Sequence, residues 1–112
     1  MIVALRWLFG SILIAMLAVT VSASLDRSLT VAASELWPDL WFRATLADAY
    51  FGFLTIWIWM AYKETNLGTR LLWFCLVMAL GNIAIAAYLL RLLFQAAPND
   101  PLDRIVLRAS RP

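Results

Sequence analysis

The stretch LLWFCLVMALGNIAIAAYLLRLLF, residues 71–94, is apolar apart from isolated polar groups such as Asn82 and Arg91. Residues 2–23 and 44–62 form two further apolar runs of similar length. A helix needs about 20 consecutive apolar residues to cross the roughly 30 Å of hydrocarbon in a bilayer. The sequence therefore predicts an all-α membrane protein in which these three runs are transmembrane helices.

Composition supports one small membrane domain and argues against several enzyme classes. The chain has 112 residues, of which 64% are apolar and 14% charged. It has no histidine, the commonest ligand of haem and zinc, and its single cysteine, Cys75, leaves no partner for a disulfide or a thiolate metal site within one chain. We therefore expect a non-enzymatic protein without a metal site, and the composition leaves any other cofactor open.

The net charge of +2 is small, and the arginines are dispersed along the chain. A nucleic-acid-binding surface needs clustered basic residues, so we expect no nucleic-acid partner. Membrane lipids with anionic head groups are the simpler partner for arginines that flank apolar runs.

Residues 24–43 are predicted to form an interfacial segment between the first two spans. Pro38 is expected to break or start a helix there. The run 2–23 is longer than the apolar core of a signal peptide, which has about 7 to 15 residues, so we expect a retained helix. Apolar residues recur at helical spacing within the segment and predict one face lying in the membrane interface; they are Leu29, Ala33, Leu36, Trp37, Leu40 and Trp41.

The second span carries a stripe of polar, small and aromatic residues at intervals of three and four, which places them on one helical face. Such groups gain partners between helices and none from lipid, so the stripe is expected to point inward as a helix-packing face together with Gly81 of the third span. The alternative is a proton or substrate pathway through Asp48. The stripe consists of Asp48, Gly52, Thr55, Trp59 and Tyr62.

The short connection 63–70 predicts an antiparallel hairpin of the second and third spans. Counting outward from that turn along two straight helices puts Asp48 near the depth of Ile85. We therefore expect an intramembrane polar cluster, which either neutralises a buried carboxylate or forms a functional site; its members are Asp48, Asn82, Tyr88 and Arg91.

Residues 95–112 predict a basic, amphipathic tail. Asp100 is expected to cap a helix that begins at Pro101. One face would be apolar, and the tail would lie on an anionic leaflet or bind a partner protein. The expected lipid contacts are Arg104, Arg108 and Arg111, and the apolar face consists of Leu102, Ile105, Val106 and Ala109.

Motifs in residues 40–105 resemble the domain of unknown function (DUF) 1475 family of small integral membrane proteins. They are residues 40–50 (LWFRATLADAY), Trp59, residues 62–64 (YKE), Trp73, Leu80 with Gly81, Tyr88, Leu93 with Phe94, and residues 100–102 (DPL). The resemblance implies the hairpin and marks Asp48, Lys63, Glu64, Gly81 and Tyr88, but it implies no biochemical activity.

Two functions follow as expectations. The first is an accessory or assembly subunit that packs against other membrane proteins through aromatic and small-residue faces. The second is an oligomeric transporter or proton-coupled channel that uses Asp48, since three spans cannot enclose a pathway alone. The partner would be another membrane protein or further copies of the chain.

With three spans, the N-terminus and the C-terminus lie on opposite sides of the membrane. Basic residues are enriched in cytoplasmic loops, and more of them fall on the C-terminal side. This predicts a multi-pass protein with its C-terminus on the cytoplasm-like side. The N-terminal side would carry Arg6, Lys63 and Arg70, and the C-terminal side would carry Arg27, Arg43, Arg91, Arg104, Arg108 and Arg111.

Overall fold

The structure is a computed structural model that describes residues 1–108, and all regular secondary structure in this range is helical. The all-α class is therefore confirmed. The helices are α1 (Ile2–Asp26), α2 (Leu29–Leu36), α3 (Leu40–Lys63), α4 (Leu67–Leu80), α5 (Asn82–Gln95) and α6 (Asp103–Val106).

The predicted third span, residues 71–94, is wrong as a single helix. Gly81 divides it, with φ 59° and ψ −124°, a backbone conformation open to glycine and not to residues with a Cβ. The resulting helices α4 and α5 have 14 residues each and are about 21 Å long, which is too short to cross the hydrocarbon. Among the described residues, only α1 and α3 have the length and composition of membrane spans.

Helices α3 and α4 form the expected antiparallel hairpin. The Trp57 indole donates a hydrogen bond to the carbonyl of Arg70 over 3.0 Å, close to the turn. Farther from the turn, the Tyr50 hydroxyl donates to the carbonyl of Met78, also over 3.0 Å. Asn66 ends the turn by accepting hydrogen bonds from the first backbone N–H groups of α4.

Helix α5 folds back along α4 instead of continuing it. The rings of Trp73 and Tyr88 have centroids 4.9 Å apart, although a continuous helix would separate these residues by roughly 22 Å. The reversal occurs at Gly81, against which the ring of Phe53 packs. The chain therefore returns to the level of the α3–α4 turn.

Helix α1 packs antiparallel to α5, and this pairing brings three parts of the chain to one end of the molecule. Ile2, Leu93 and Ile105 form a buried cluster there. The Lys63 ammonium group donates to the carbonyl of Leu107 over 2.6 Å, so the α3–α4 turn lies at the same end. Ile2 and the described part of the tail therefore lie at the same end of the molecule, because α5 returns after α4 instead of continuing it.

The segment between α1 and α3 contains the helix break expected at Pro38. Ser28 caps α2, and Asp39, directly after Pro38, caps α3 by accepting from the backbone N–H groups of Trp41 and Phe42. Helix α1 extends to Asp26, three residues beyond the predicted end at residue 23.

The C-terminal tail does not begin its helix where the sequence predicts. The Asp100 carboxylate accepts from the backbone N–H of Ala97 instead of capping a helix, and α6 is a single turn. Ile105 is buried against α1 and α5, so the tail folds onto the protein. Ala109 and Arg111 lie outside the described residues.

Candidate functional site

The polar centre of the molecule lies at the α3–α4 turn, around Glu64. Its backbone is held at the end of α3, where its N–H donates to the carbonyl of Met60. Its own carbonyl accepts from the Arg70 guanidinium over 2.8 Å. These bonds direct the Glu64 carboxylate toward α5, and its side chain is only 19% exposed.

Two residues of α5 share the Glu64 carboxylate. The Tyr88 hydroxyl donates to Glu64 Oε1 over 3.1 Å. The Arg91 Nη1 atom lies 3.5 Å from the same oxygen and forms an ion pair with it. Residues 88 and 91 are one helical turn apart, so both reach the carboxylate from the same face of α5.

Two indole rings enclose Tyr88, which is fully buried. The Trp73 ring packs edge-on at 4.9 Å between centroids, and the Trp59 ring packs edge-on at 5.9 Å. Burial raises the pKa of the Tyr88 phenol above its usual range, and the neighbouring Glu64 carboxylate raises it further. The phenol therefore remains protonated and acts as a hydrogen-bond donor.

The C-terminal tail covers the outer side of this cluster through bonds from α3 to tail carbonyls. The Trp59 indole donates to the carbonyl of Val106 over 2.9 Å. The Lys63 ammonium donates to the carbonyls of Arg104 and Leu107. We call the group of Trp59, Lys63, Glu64, Trp73, Tyr88 and Arg91 the Glu64 cluster.

The structure brings together Tyr88 and Arg91 from the predicted polar cluster, but on Glu64 and not on Asp48. Asp48 is exposed on α3, and within residues 1–108 it has no side-chain hydrogen bond or ion pair. Asn82 is exposed at the start of α5. The expected depth was counted along a straight third helix, whereas the reversal at Gly81 returns Tyr88 and Arg91 to the turn.

The predicted helix-packing face divides into two parts. Trp59 contacts Tyr88, and the Tyr62 ring lies under the Arg108 guanidinium, 5.2 Å from it. Gly52 and Thr55 instead remain exposed on the surface of α3. Helix α4 packs against nearly the opposite side of α3, through Tyr50, Phe53 and Trp57.

Gly81 is buried as part of the fold, but its role differs from the one expected. A Cβ at this position would lie 2.7 Å from the Phe53 Cζ atom. Gly81 thus both breaks the helix and allows α3 to approach the break.

Of the arginines expected to contact lipid, Arg108 is bound to α3 instead. The Arg108 guanidinium donates to the carbonyl of Tyr62 over 2.7 Å as well as packing on its ring. Arg104 is exposed, and Arg111 lies outside the described residues.

The chemistry available in the Glu64 cluster is charge neutralisation. The carboxylate is matched by one guanidinium and one hydroxyl, and every group that touches it already has a partner in the chain. Among the described residues there is no group of three or more histidine, cysteine, aspartate or glutamate side chains that could hold a metal ion.

The sequence prediction missed Lys63, Glu64 and Trp73 as members of the cluster. The signal that could have found Lys63 and Glu64 is the run of residues 62–64, which the family resemblance already marked.

The family model of DUF1475, described as a protein of unknown function, matches residues 1–111. The chain belongs to the DUF1475 family. The match is longer than the region that carries the resemblance, so α1 is also part of the DUF1475 sequence pattern. No curated protein and no solved structure matches the chain significantly.

Proposed function

We propose that the chain is an integral membrane protein that acts as a non-enzymatic accessory or assembly subunit of a larger membrane protein complex. Helices α1 and α3 would span the bilayer, and α4 and α5 would enter it as a re-entrant hairpin. Three features support this proposal: the exposure of the two long helices, the exposed Asp48 carboxylate on α3, and the internal pairing of the Glu64 cluster.

Both long helices leave most of their apolar surface uncovered. In the most apolar 18-residue window of each, only 6% of the residues are buried within the chain. Contiguous apolar surface of this extent is covered by lipid or by another protein in a stable assembly. At about 1.5 Å per residue, α1 and α3 are roughly 36 Å long and match the thickness of a bilayer.

The observation that carries the subunit proposal is the free stripe on α3 formed by Asp48, Gly52 and Thr55. All three residues are exposed, although they lie within a helix that has the composition of a membrane span. A carboxylate facing lipid costs about 2.5 to 3.5 kcal/mol at the centre of a span on insertion scales and less toward its ends, and Asp48 lies four residues inside the apolar run 44–62. A partner helix that supplies a hydrogen-bond donor would remove this cost.

Gly52 makes the same stripe suitable for helix contact. A Cβ at this position would meet nothing within 4 Å in the chain, so the glycine is not required by the internal packing. Small residues at a membrane helix surface allow another helix to approach closely. The free stripe therefore combines a close-approach site with a polar group in need of a partner.

The Glu64 cluster supports a structural role and not a catalytic one. Its carboxylate, guanidinium and phenol are bonded to one another, and the tail covers them. Its function in this proposal is to join the α3–α4 turn, α5 and the tail into one rigid end.

The test is purification from native membranes in a mild detergent, followed by mass spectrometry of the intact complex. We expect the wild-type chain to retain one or more different membrane proteins. The Asp48→Leu chain should lose these partner proteins, whereas Asp48→Asn should keep most of them because an amide still hydrogen-bonds. Asp26→Leu, at the exposed end of α1, is the control and should keep them. Purification of the wild-type chain without a different membrane protein would contradict the proposal.

The second candidate is an oligomeric, proton-coupled transporter, favoured by the same exposed carboxylate of Asp48. In that case several copies of α3 would line a pathway with the titratable group inside it. The two candidates differ in one variant: Asp48→Asn would abolish flux while leaving a homo-oligomer intact, because only the proton has been removed.

We further propose that the end of the molecule that carries Ile2, the α3–α4 turn and Ile105 lies on the cytoplasm-like side. One end of the molecule carries six basic residues within the described range, and the opposite end carries only Arg27 and Arg43. This asymmetry is typical of a cytoplasmic face. A single cysteine placed at residue 66 should react with impermeant reagent from the cytoplasmic side only, and reaction from the other side would reverse the assignment. The six basic residues at the proposed cytoplasmic end are Arg6, Lys63, Arg70, Arg91, Arg104 and Arg108.

A further inference from the structure

A groove of about 460 Å³ runs between α1 and α5. Its walls are apolar and come from Val3, Trp7 and Ile14 on one side and Leu90 and Phe94 on the other. The volume lies in the range of small-molecule sites, which hold about 300 to 1,000 Å³. An extended hydrocarbon chain can lie along apolar walls of this kind, and the guanidinium of Arg6 lines the same groove.

Gly10 gives the groove its open floor. A Cβ at this position would meet nothing within 4 Å, so no packing contact inside the chain requires glycine. A side chain at residue 10 would project into space that is now free. The groove can therefore be filled by substitution without a clash against the rest of the protein.

Arg6 lies in the same groove and carries a charge that no acidic group balances. Its Nε and Nη2 atoms donate to the carbonyls of Leu93 and Ala96, which caps the C-terminal end of α5. These bonds use three of the five guanidinium N–H groups, and within residues 1–108 the two on Nη1 have no protein acceptor. No carboxylate in this range lies within ion-pair distance of Arg6.

We propose that the groove binds an anionic phospholipid, with one acyl chain along the α1–α5 walls and the phosphate at Arg6. Arginine is suited to phosphate because its planar N–H groups match the phosphate oxygens. From Arg6 to Ile14 the groove follows α1 for roughly 12 Å, toward the middle of the membrane. The head group would thus lie at the basic end of the molecule and the acyl chain in the hydrocarbon.

This inference rests on the membrane placement in the proposed function but not on the partner protein. The test uses the purified full-length chain in mild detergent, with phosphatidylglycerol or phosphatidylcholine added and bound lipid counted by native mass spectrometry. We expect one phosphatidylglycerol molecule per chain and weaker retention of phosphatidylcholine. Equal retention of the two lipids, or retention of oleate in place of phosphatidylglycerol, would overturn the proposal.

Two variants separate the groove from the general lipid surface. Gly10→Leu should weaken phosphatidylglycerol binding by about tenfold or more, because the new side chain occupies the acyl path. Ala79→Leu is the matched control, since it adds a leucine side chain at an exposed position of α4 that lines neither the groove nor the free stripe, and it should bind lipid as the wild type does. Unchanged binding in Gly10→Leu would overturn the proposal.

The charge is tested at Arg6 with paired variants. Arg6→Lys should keep the preference for phosphatidylglycerol over phosphatidylcholine, and Arg6→Gln should lose it. Loss of helical signal in Arg6→Gln would reflect the missing cap on α5, in which case the comparison of Gly10→Leu with Ala79→Leu decides. The Gly10→Leu chain should lose the bound lipid but keep its partner protein. Failure of the lipid site can therefore be told apart from failure of the proposed function.

Discussion

Replacing Gly81 with alanine tests the reversal on which the whole arrangement depends. Alanine at this position meets two obstacles. The backbone has φ 59° and ψ −124°, which a residue with a Cβ adopts only under strain, and the new Cβ would lie 2.7 Å from the Phe53 Cζ atom. The wild-type conformation is therefore closed to alanine unless the ring or the backbone moves.

The free-energy cost of Gly81→Ala is the sum of the backbone strain and the overpacking against Phe53. A strained backbone conformation costs about 1 to 3 kcal/mol, and overpacking against a buried side chain costs about 1 to 3 kcal/mol more. We expect Gly81→Ala to lower the free energy of unfolding by about 2 to 6 kcal/mol. Gly52→Ala is the control, because it fills open space and alanine is favoured in a helix by about 1 kcal/mol.

The chain has a way to escape this cost, which is to join α4 and α5 into one straight helix. Spin labels at Leu71 and Gln95, in a chain whose Cys75 is replaced by serine, distinguish the two forms. A continuous helix would separate these residues by roughly 36 Å, whereas the folded-back arrangement keeps them clearly closer. We expect the long distance to appear in Gly81→Ala and to be absent from Gly52→Ala. Wild-type stability together with the short distance in Gly81→Ala would show that the reversal does not require glycine at this position.

Two further predictions concern the Glu64 cluster and its cover. Tyr88→Phe should lower the free energy of unfolding by about 1.5 kcal/mol, because it removes a hydrogen bond to a charged acceptor and keeps the ring packing. In a Glu64→Gln background, Tyr88→Phe should lower the free energy of unfolding by about half as much, since the acceptor is then neutral. Equal losses of stability in the two backgrounds would argue against this bond. Lys63→Met removes two hydrogen bonds to the tail, so trypsin should cleave after Arg104 several times faster while cleavage after Arg27 stays unchanged. An unaltered rate at Arg104 would mean that the tail is held by other contacts.

The parts of the fold that follow local rules were predictable from the sequence. The α3–α4 hairpin followed from a short polar connection between two apolar runs, and Asn66 supplies the cap that such a turn needs. The break at Pro38 followed from the missing N–H of proline. These features depend on neighbouring residues, which a sequence displays directly.

The break at Gly81 was not predictable in the same way. A single glycine inside an apolar run is tolerated in a helix at a cost of about 1 kcal/mol, so the pattern favours one long span. The reversal depends on Phe53, which lies 28 positions earlier and packs against the glycine. Tertiary contact therefore outweighed the local preference.

The error in the polar cluster follows from that break. With a straight third helix, Tyr88 and Arg91 would lie near the depth of Asp48. With the chain reversed at Gly81, they return to the turn and meet Glu64. Tyr88 and Arg91 do lie together, but Asn82 is exposed outside the cluster, and the carboxylate that joins the two depends on a long-range arrangement.

Photo-crosslinking in the native membrane tests most directly whether the free stripe on α3 contacts another membrane protein. A photoreactive residue at Thr55 lies on the stripe, and one at Leu54, exposed and about 100° around the helix, lies off it. Such a contact predicts a discrete adduct with a different membrane protein from position 55, which Asp48→Leu abolishes, and lipid adducts from position 54. Lipid adducts alone from both positions would contradict it.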